Sequence, residues 1–259
     1  MISVDRKTDL HSAAELFLAA RRTASPIADL PERLQPTSLE EAYFIQDNMA
    51  HALQPEGTTA WKVGAPAPDA TPLFGPMISA WIADSGSVLG EPRHRWRGLE
   101  AEISFHFGRD LPPRATPYTR EEIVAAIASC HPAIEELEAG LAEPPKVAKF
   151  TMFGDMQMHG GFIHGPAIEN WQQIDFSKES VTLSIDGEVV VERTASNTAG
   201  TDLLRLVLYL ANEGAARTGG LKRGSWVTTG SWTGNSFAKA GSEVNVHFST
   251  AGDVSVRFA

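Results

Sequence analysis

Residues 99–107 read LEAEISFHF, in which apolar and polar residues alternate without a break. Apolar residues at every second position are typical of a β-strand that buries one face. One face holds Leu99, Ala101, Ile103, Phe105 and Phe107, and the other holds Glu100, Glu102, Ser104 and His106. We therefore predict a strand here whose apolar face belongs to the core.

Further strands are predicted on both sides of this stretch. They are TTAWKVGAP (58–66), HPAIEELEA (131–139), GGFIHGPAI (160–168), the hairpin VTLSIDGEVVVERT (181–194), LKRGSWVTTGSWTG (221–234), SEVNVHF (242–248) and DVSVRF (253–258). The hairpin has Asp186-Gly187 at its centre, a pair that suits a tight two-residue turn. Residues 66–76 and 141–158 lack periodicity and are predicted to be loops.

Helical patterns are fewer than strand patterns. They cover residues 11–22, a segment from a Ser38 N-cap to Leu53, residues 116–130 and residues 201–219. We predict an α+β fold with a β-rich rolled or barrel-like sheet. Residues 1–57 are predicted to form a small N-terminal helical lobe, and residues 58–259 a β-rich catalytic domain.

The composition excludes several classes of protein. The chain has 259 residues and a net charge of −10, which disfavours a nucleic-acid partner. It contains no apolar run of about 18 residues, so no membrane span is expected. The first residues, MISVDRKTDL, lack the apolar segment of a secretion signal, and we expect a cytoplasmic protein. The single cysteine, Cys130, allows no internal disulfide and is predicted to be buried near a helix end.

Glu100 and Glu102 are the first candidates for chemistry. Two residues apart on a strand, their carboxylates lie on one face about 7 Å apart. Such a pair is either solvated on an outer face or neutralised by a cation, and a hard ion such as Mg²⁺ accepts carboxylate oxygens.

A second group of carboxylates, in PAIEELE, strengthens the case for a cation. Alternation places Glu136 and Glu138 on one side of this segment and Glu135 with Leu137 on the other. Strand periodicity alone does not decide which of these carboxylates faces the first pair.

A set of motifs in a fixed order then points to a family. The motifs are LEAEISFHFGRDLP (99–112), HPAIEELE (131–138), GGFIHG (160–165), LKRGSWVTTGSWTG (221–234), GSEVNVHF (241–248) and DVSVRF (253–258). Together they resemble the 2-keto-4-pentenoate hydratase and 4-oxalocrotonate decarboxylase group of the fumarylacetoacetate hydrolase superfamily. The resemblance covers the chain from about Ala60 to its end, and it implies the C-terminal-domain fold of that superfamily.

The resemblance assigns roles to individual residues. It implies that Glu100, Glu102 and Glu135 bind Mg²⁺ or Mn²⁺, which leaves Glu136 and Glu138 solvated or behind the ligands. It places Lys62, in AWKVG, at the substrate, where an ammonium can pair with a carboxylate or move a proton. Ser231, and less strongly Thr233, are implied to bind the substrate carboxylate from the turn TTGSWTG.

The segment FGDMQMHGGFIHG (153–165) departs from the family pattern. Members of the group usually carry A-D-N-x-S here, whereas this chain keeps only Asp155 and has Met156 and Met158 at the asparagine and serine positions. The resemblance implies a hydration reaction, in which a hydrogen-bonding side chain must position the attacking water molecule. A thioether donates no hydrogen bond, so a residue other than these methionines must do this. Asp155 is the predicted catalytic residue for this task, with Gln157 or His159 as alternatives.

Three other side chains in this region are His159, His164 and Lys149. His159 and His164 are predicted to be packed or hydrogen-bonded. Lys149 could replace the lysine that the hydrolase branch places after its third ligand, although the spacing is shorter here. The family's D-S-R after the third ligand is replaced by Glu138-Ala139-Gly140.

The reaction implied by the resemblance is addition of water to a 2-hydroxy-2,4-dienoate or 2-keto-enoate, giving a 4-hydroxy-2-keto acid, as in meta-cleavage aromatic catabolism. The alternatives are decarboxylation of a 2-keto acid such as 4-oxalocrotonate, hydrolysis of a C–C bond in an acylpyruvate, and a non-catalytic binding partner. We expect a homo-oligomer, with residues 77–83 (MISAWIA) as an exposed contact, and a hetero-complex with a partner enzyme is conceivable.

Overall fold

The computed structural model describes residues 2–90 and 93–259, which contain six α-helices and thirteen β-strands. The helices are α1 (Val4–Thr23), α2 (Leu39–Leu53), α3 (Arg120–Ala126), α4 (Lys149–Gly154), α5 (Leu203–Asn212) and α6 (Ala215–Thr218). The strands are β1 (Ala60–Gly64), β2 (Leu73–Met77), β3 (Ile82–Asp84), β4 (Ser87–Leu89), β5 (Gly98–Phe107), β6 (Ile127–Leu137), β7 (His159–His164), β8 (Ser180–Ile185), β9 (Glu188–Thr194), β10 (Trp226–Thr228), β11 (Ser236–Phe237), β12 (Glu243–Phe248) and β13 (Gly252–Phe258).

The strands form two sheets. The larger runs in the order β2-β1-β10-β5-β6-β7-β3, with β11 paired to the end of β5, and the smaller runs β4-β13-β12-β8-β9. In the described part of the chain the end strands β2 and β3 are not hydrogen-bonded to each other, so the large sheet is open and not a closed barrel. The predicted α+β class with an N-terminal helical region is confirmed.

The main core lies against one face of β5. Its alternate residues Leu99, Ile103 and Phe105 are fully buried, and they pack in one cluster with α5 and with apolar residues of β8, β12 and β13. The alternation predicted for this strand is confirmed. The opposite face, however, is also buried at Glu102 and Ser104, so it is not a solvated surface.

The second N-terminal helix begins where its predicted cap places it, whereas α1 begins at Val4, seven residues before the predicted range 11–22. Ser38 accepts a hydrogen bond from the Glu41 N–H at the start of α2. The helices α1 and α2 share an apolar cluster with Ile78, Leu141 and Met156 from the rest of the chain. The division into units 1–57 and 58–259 stays a prediction. No helix in the described ranges is long and apolar enough to cross a membrane.

The loop predicted for residues 66–76 was wrong over its second half. Residues Leu73–Met77 form β2, which pairs antiparallel with β1. Gly75 and Pro76 suggested a loop, but β2 lies at the edge of the large sheet, where proline is tolerated because one side of the strand needs no donors.

Three other local predictions need correction. Residues 141–158 contain the short helix α4 as well as irregular backbone. Residues 116–130 form a helix only to Ala126, after which the chain continues as β6, so that the buried Cys130 lies in a strand. The helix predicted for residues 201–219 is divided into α5 and α6.

The segment MISAWIA is not the exposed contact that we expected. Met77 and Ile78 are 0% and 1% exposed and pack within the chain, whereas Trp81 is half-buried. This segment therefore gives no support to an oligomer, which stays a prediction.

Candidate metal centre

Three carboxylates meet on the face of the large sheet opposite the main core. Glu100 and Glu135 are direct cross-strand partners on β5 and β6, and Glu102 is two residues further along β5. One oxygen from each lies within 4.8 Å of the others. The pairing register thus settles what periodicity left open, because it brings Glu135 to the first pair and leaves Glu136 on the other face.

Glu102 is held by two donors from the neighbouring strand. It is 2% exposed, and its Oε2 accepts hydrogen bonds from the Thr228 hydroxyl and, at 2.9 Å, from the Gly230 N–H. Burial and the neighbouring carboxylates Glu135 and Glu100 raise its pKa to about 8 despite these donors. Gly230 has φ 86°, a backbone conformation that glycine adopts without a steric cost.

Glu100 is the most accessible of the three. Burial and the nearby Glu135 carboxylate raise its pKa to about 7, while Lys62 and a hydrogen bond from Ser231 act in the opposite direction. The two glutamates of β5 therefore both hold protons more tightly than usual. A cation between them would remove that repulsion.

Lys62 balances the third carboxylate. Its Nζ lies 2.5 Å from Glu135 Oε1 and 3.2 Å from the Gln157 carbonyl oxygen. Burial raises the pKa of Glu135, but the Lys62 charge and hydrogen bonding from His159 outweigh it, and the net shift is downward. The pKa of Lys62 is raised, because its carboxylate neighbours outweigh its own burial. Both groups are therefore ionised at neutral pH.

The residues present fit a hard divalent cation. Three carboxylates face one ammonium, which leaves a local excess of negative charge when all are ionised. Glu135 Oε2 is buried and has no hydrogen-bond partner in the described ranges, although a buried acceptor without a partner is unfavourable. Carboxylate oxygens are the ligands that Mg²⁺ and Mn²⁺ prefer. Glu100, Glu102 and Glu135 could therefore hold such an ion.

A cavity of about 330 Å³ opens over the carboxylates. Its lining includes Lys62, Ser231 and Gln157, together with Lys149 and Phe153 of α4. Ser231 lines the cavity beside Glu100, and its binding of a substrate carboxylate stays a prediction. A small acid that enters the cavity would meet the carboxylates, an ammonium and a hydroxyl.

A strained turn forms one side of this site. Met156, Gln157 and Met158 have φ of 54°, 51° and 61°, a left-handed conformation that costs non-glycine residues about 1–3 kcal/mol each. In this turn the Gln157 carbonyl oxygen accepts a hydrogen bond from Lys62, and Gln157 is one of the residues that line the cavity. The methionines that replace the usual asparagine and serine therefore belong to the backbone support of the site.

Two residues that we predicted to act on the substrate do not line the cavity. Asp155 is 0% exposed and forms an ion pair at 2.6 Å with Arg21 of α1, while its other oxygen accepts the Gly140 N–H. The Thr233 hydroxyl accepts the Ala101 N–H and donates to the Gly234 carbonyl. Both side chains therefore have structural partners, and the proposal that either touches substrate loses its geometric basis.

The interpretation of Glu136 and Glu138 as solvated groups was wrong. They are 0% and 5% exposed. Glu136 pairs with His94, and Glu138 accepts the Trp96 N–H and contacts Arg95. The carboxylate-rich sequence of β6 is thus explained by partners on both faces of one strand.

His159 is the contact that sequence reasoning undervalued. Its Nδ1 lies 3.2 Å from Glu135 Oε1, and burial lowers its pKa although Glu135 acts in the opposite direction. His164, by contrast, stacks on Trp226 at 4.3 Å between ring centroids and is packed as expected. The two histidines of β7 are separated by a β-bulge, because the register of β6 against β7 shifts between Glu136 and Leu137. Nothing in the sequence marks this shift.

Comparisons with known proteins agree with this geometry. No family model matches the chain. It is 25% identical over 257 residues to 2-keto-4-pentenoate hydratase 2 of Dechloromonas aromatica, covering 96% of this chain and 97% of that protein. It is 24% identical over 203 residues to the 4-oxalocrotonate decarboxylase of Pseudomonas putida, covering 78% and 75%.

A solved structure shows the same fold. The 4-oxalocrotonate decarboxylase from Pseudomonas putida G7, complexed with magnesium and adipate, superposes with a TM-score of 0.85 over 100% of both chains at 22% identity. Similarity in fold and in sequence thus extends over almost the whole chain. The chain is thus similar in sequence to 2-keto-4-pentenoate hydratases and 4-oxalocrotonate decarboxylases, and similar in fold to a 4-oxalocrotonate decarboxylase.

Proposed function

We propose that this protein is a divalent-metal-dependent hydro-lyase that adds water to a short 2-hydroxydienoate or 2-keto-enoate. The observation that carries the proposal is the convergence of Glu100, Glu102 and Glu135 in the lining of one cavity, with a buried carboxylate oxygen that has no hydrogen-bond partner among the residues 2–90 and 93–259. Mg²⁺ or Mn²⁺ would bind there and supply a Lewis acid for the 2-oxo group.

The side chains around the carboxylates have separate tasks in this proposal. Lys62 remains charged because of its carboxylate neighbours, and an ammonium has three donors, of which two are engaged by Glu135 and Gln157. The third can pair with the substrate carboxylate or deliver a proton. The Ser231 hydroxyl, beside Glu100 in the cavity lining, can bind the same carboxylate.

Hydration also requires a polar group that holds the attacking water molecule. Gln157 is our candidate, because it lines the cavity whereas Asp155 is paired with Arg21. An amide can donate to and accept from a water molecule, which fixes its orientation. We therefore transfer the water-positioning role from Asp155 to Gln157.

Decarboxylation is the second candidate, and Lys149 favours it. This lysine lines the cavity and is exposed, with its Nζ 5.2 Å from the centroid of the Phe153 ring. A second ammonium in the cavity lining, besides Lys62, suits a substrate with a second carboxylate. The related decarboxylase structure is complexed with adipate, which is a dicarboxylate.

Calorimetry with Mg²⁺ and Mn²⁺ tests the metal site directly. Glu102→Gln should abolish tight binding, since it replaces a charged ligand with a neutral one. Glu188→Gln, on the exposed strand β9, is the matched control and should bind as the wild type does. Unchanged affinity in the Glu102 variant would contradict the assignment.

A substrate panel separates the two reactions. The wild type with Mg²⁺ or Mn²⁺ is mixed with 2-hydroxydienoates, 2-keto acids and acylpyruvates while the dienol or enol absorbance and the release of CO₂ are followed. Loss of dienol absorbance with uptake of water supports the hydratase. Release of CO₂ from dicarboxylates without hydration of any dienoate would make decarboxylation the function.

A further inference from the structure

His159 is fully enclosed beside the carboxylates. Its ring is 0% exposed, stacks on Trp81 with 5.8 Å between ring centroids, and lies against Glu135. The backbone is also fixed, because Arg21 donates to the His159 carbonyl oxygen at 2.8 Å. The ring therefore cannot exchange its partners with water.

The hydrogen bonds to this ring determine its tautomer. The Ile78 N–H donates to Nε2 at 3.3 Å, so Nε2 must present a lone pair. A neutral imidazole with a bare Nε2 carries its proton on Nδ1. Nδ1 consequently donates to Glu135 Oε1, and the backbone of Ile78 decides which nitrogen does so.

The two oxygens of Glu135 are used differently as a result. Oε1 accepts from both Lys62 and His159, at 2.5 and 3.2 Å. Oε2 accepts from no group in the described ranges and is buried. Two donors on the same oxygen fix the rotation of the carboxylate about its last bond.

We propose that His159 is a positioning residue that holds Glu135 with Oε2 free for the metal ion. This inference rests on the proposed metal site. Ligand carboxylates are commonly oriented by a hydrogen-bonded neighbour, whose removal lowers metal affinity by about 10- to 100-fold. His159 would act through Glu135 and not on the substrate.

The neighbouring residue on β6 supplies a matched control. Glu136 has the same local chemistry on the opposite face: its Oε2 lies 3.1 Å from Nδ1 of the buried His94, and its Oε1 has no partner in the described residues. It is not part of the carboxylate cluster. Replacement of His94 therefore removes an equivalent histidine without touching a proposed ligand.

The test measures metal affinity, tautomer and stability separately. His159→Phe keeps a ring against Trp81 but removes the donor, and Mg²⁺ and Mn²⁺ affinity should fall about 10- to 100-fold. His159→Asn places an amide N–H near the position of Nδ1 and should recover much of that loss. His94→Phe should leave the affinity unchanged in protein that remains folded by circular dichroism.

Nitrogen NMR of the wild-type histidine ring provides a readout that does not depend on any variant. The neutral ring should show a protonated Nδ1 and an unprotonated Nε2 in the metal-free protein. A proton on Nε2 would overturn the proposal, as would wild-type metal affinity in folded His159→Phe. If His159→Phe does not fold, affinity in His159→Asn equal to that of an alanine variant would also overturn it. Absence of metal binding by the wild type would instead refute the metal site itself.

Discussion

Two opposing effects act on the pKa of the Lys62 ammonium. Burial disfavours its charged form, and the carboxylates of Glu135, Glu100 and Glu102 favour it more strongly, so its pKa is raised. A lysine in this state is a proton donor or an ion-pair partner at neutral pH and not a base. Its role in the proposed reaction follows from that charge.

Replacement of this lysine should separate catalysis from metal binding. Lys62→Met removes the charge but keeps much of the side-chain volume, and we expect turnover to fall by about 10²-fold or more. Because Lys62 also donates to Glu135, metal affinity should change too, but by less than turnover does. Steady-state kinetics on the best substrate of the panel, together with calorimetry, measures both. Turnover close to that of the wild type would show that Lys62 serves only to balance Glu135.

The pH dependence of metal binding follows from the two carboxyls of β5. Their pKa values are raised to about 7 for Glu100 and about 8 for Glu102, so both hold protons in slightly acidic solution. A metal ion must displace those protons, and its affinity should increase from about pH 6 to about pH 8.5. Calorimetry in buffers with different ionisation enthalpies counts the released protons. An affinity that stays constant over this range would contradict the shifts.

Among the secondary-structure elements, the sequence correctly predicted those that a residue pattern within the segment itself identifies. The alternation of residues 99–107 and the Asp186-Gly187 turn both identify their elements correctly. β2 was missed because its tolerance of Pro76 depends on its position at a sheet edge, which is a property of the assembled sheet.

The carboxylate cluster, too, could be predicted only as far as local spacing and the resemblance reach. The sequence identified Glu100 and Glu102 from spacing, and the resemblance added Glu135 and Lys62. Spacing alone could not choose between Glu135 and Glu136, because that choice requires the register between β5 and β6. It also could not reveal that Asp155 pairs with Arg21, 134 positions away in the chain.

The Arg21–Asp155 ion pair fastens α1 to the segment that supports the site. Arg21 also donates to the carbonyls of Glu138 and His159. Asp155→Ala would leave a buried guanidinium without its counter-ion, and removal of one partner from such a pair costs about 3–5 kcal/mol. Urea unfolding should show this loss. A stable variant that has lost activity would return Asp155 to a catalytic role.

For the whole molecule, the proposed metal ion is a link between two central strands of the large sheet. Because it would bind the folded chain, a concentration of 100 times its Kd should stabilise the fold by about 2.7 kcal/mol. For a protein of this size the melting temperature should increase on the order of 5–10 °C. Differential scanning calorimetry with Mg²⁺ and with a chelator measures the difference, and equal melting temperatures would contradict a bound metal.

The proline of β2 has a consequence for encounters between molecules. A free strand at the border of a sheet can recruit a strand from another chain, which is a common route to aggregation. β2 lies at such a border, and Pro76 has no N–H with which to continue a hydrogen-bonded ladder outward. Pro76 therefore disfavours lateral growth of the large sheet at this border, where a pairing strand would find no donor at that position.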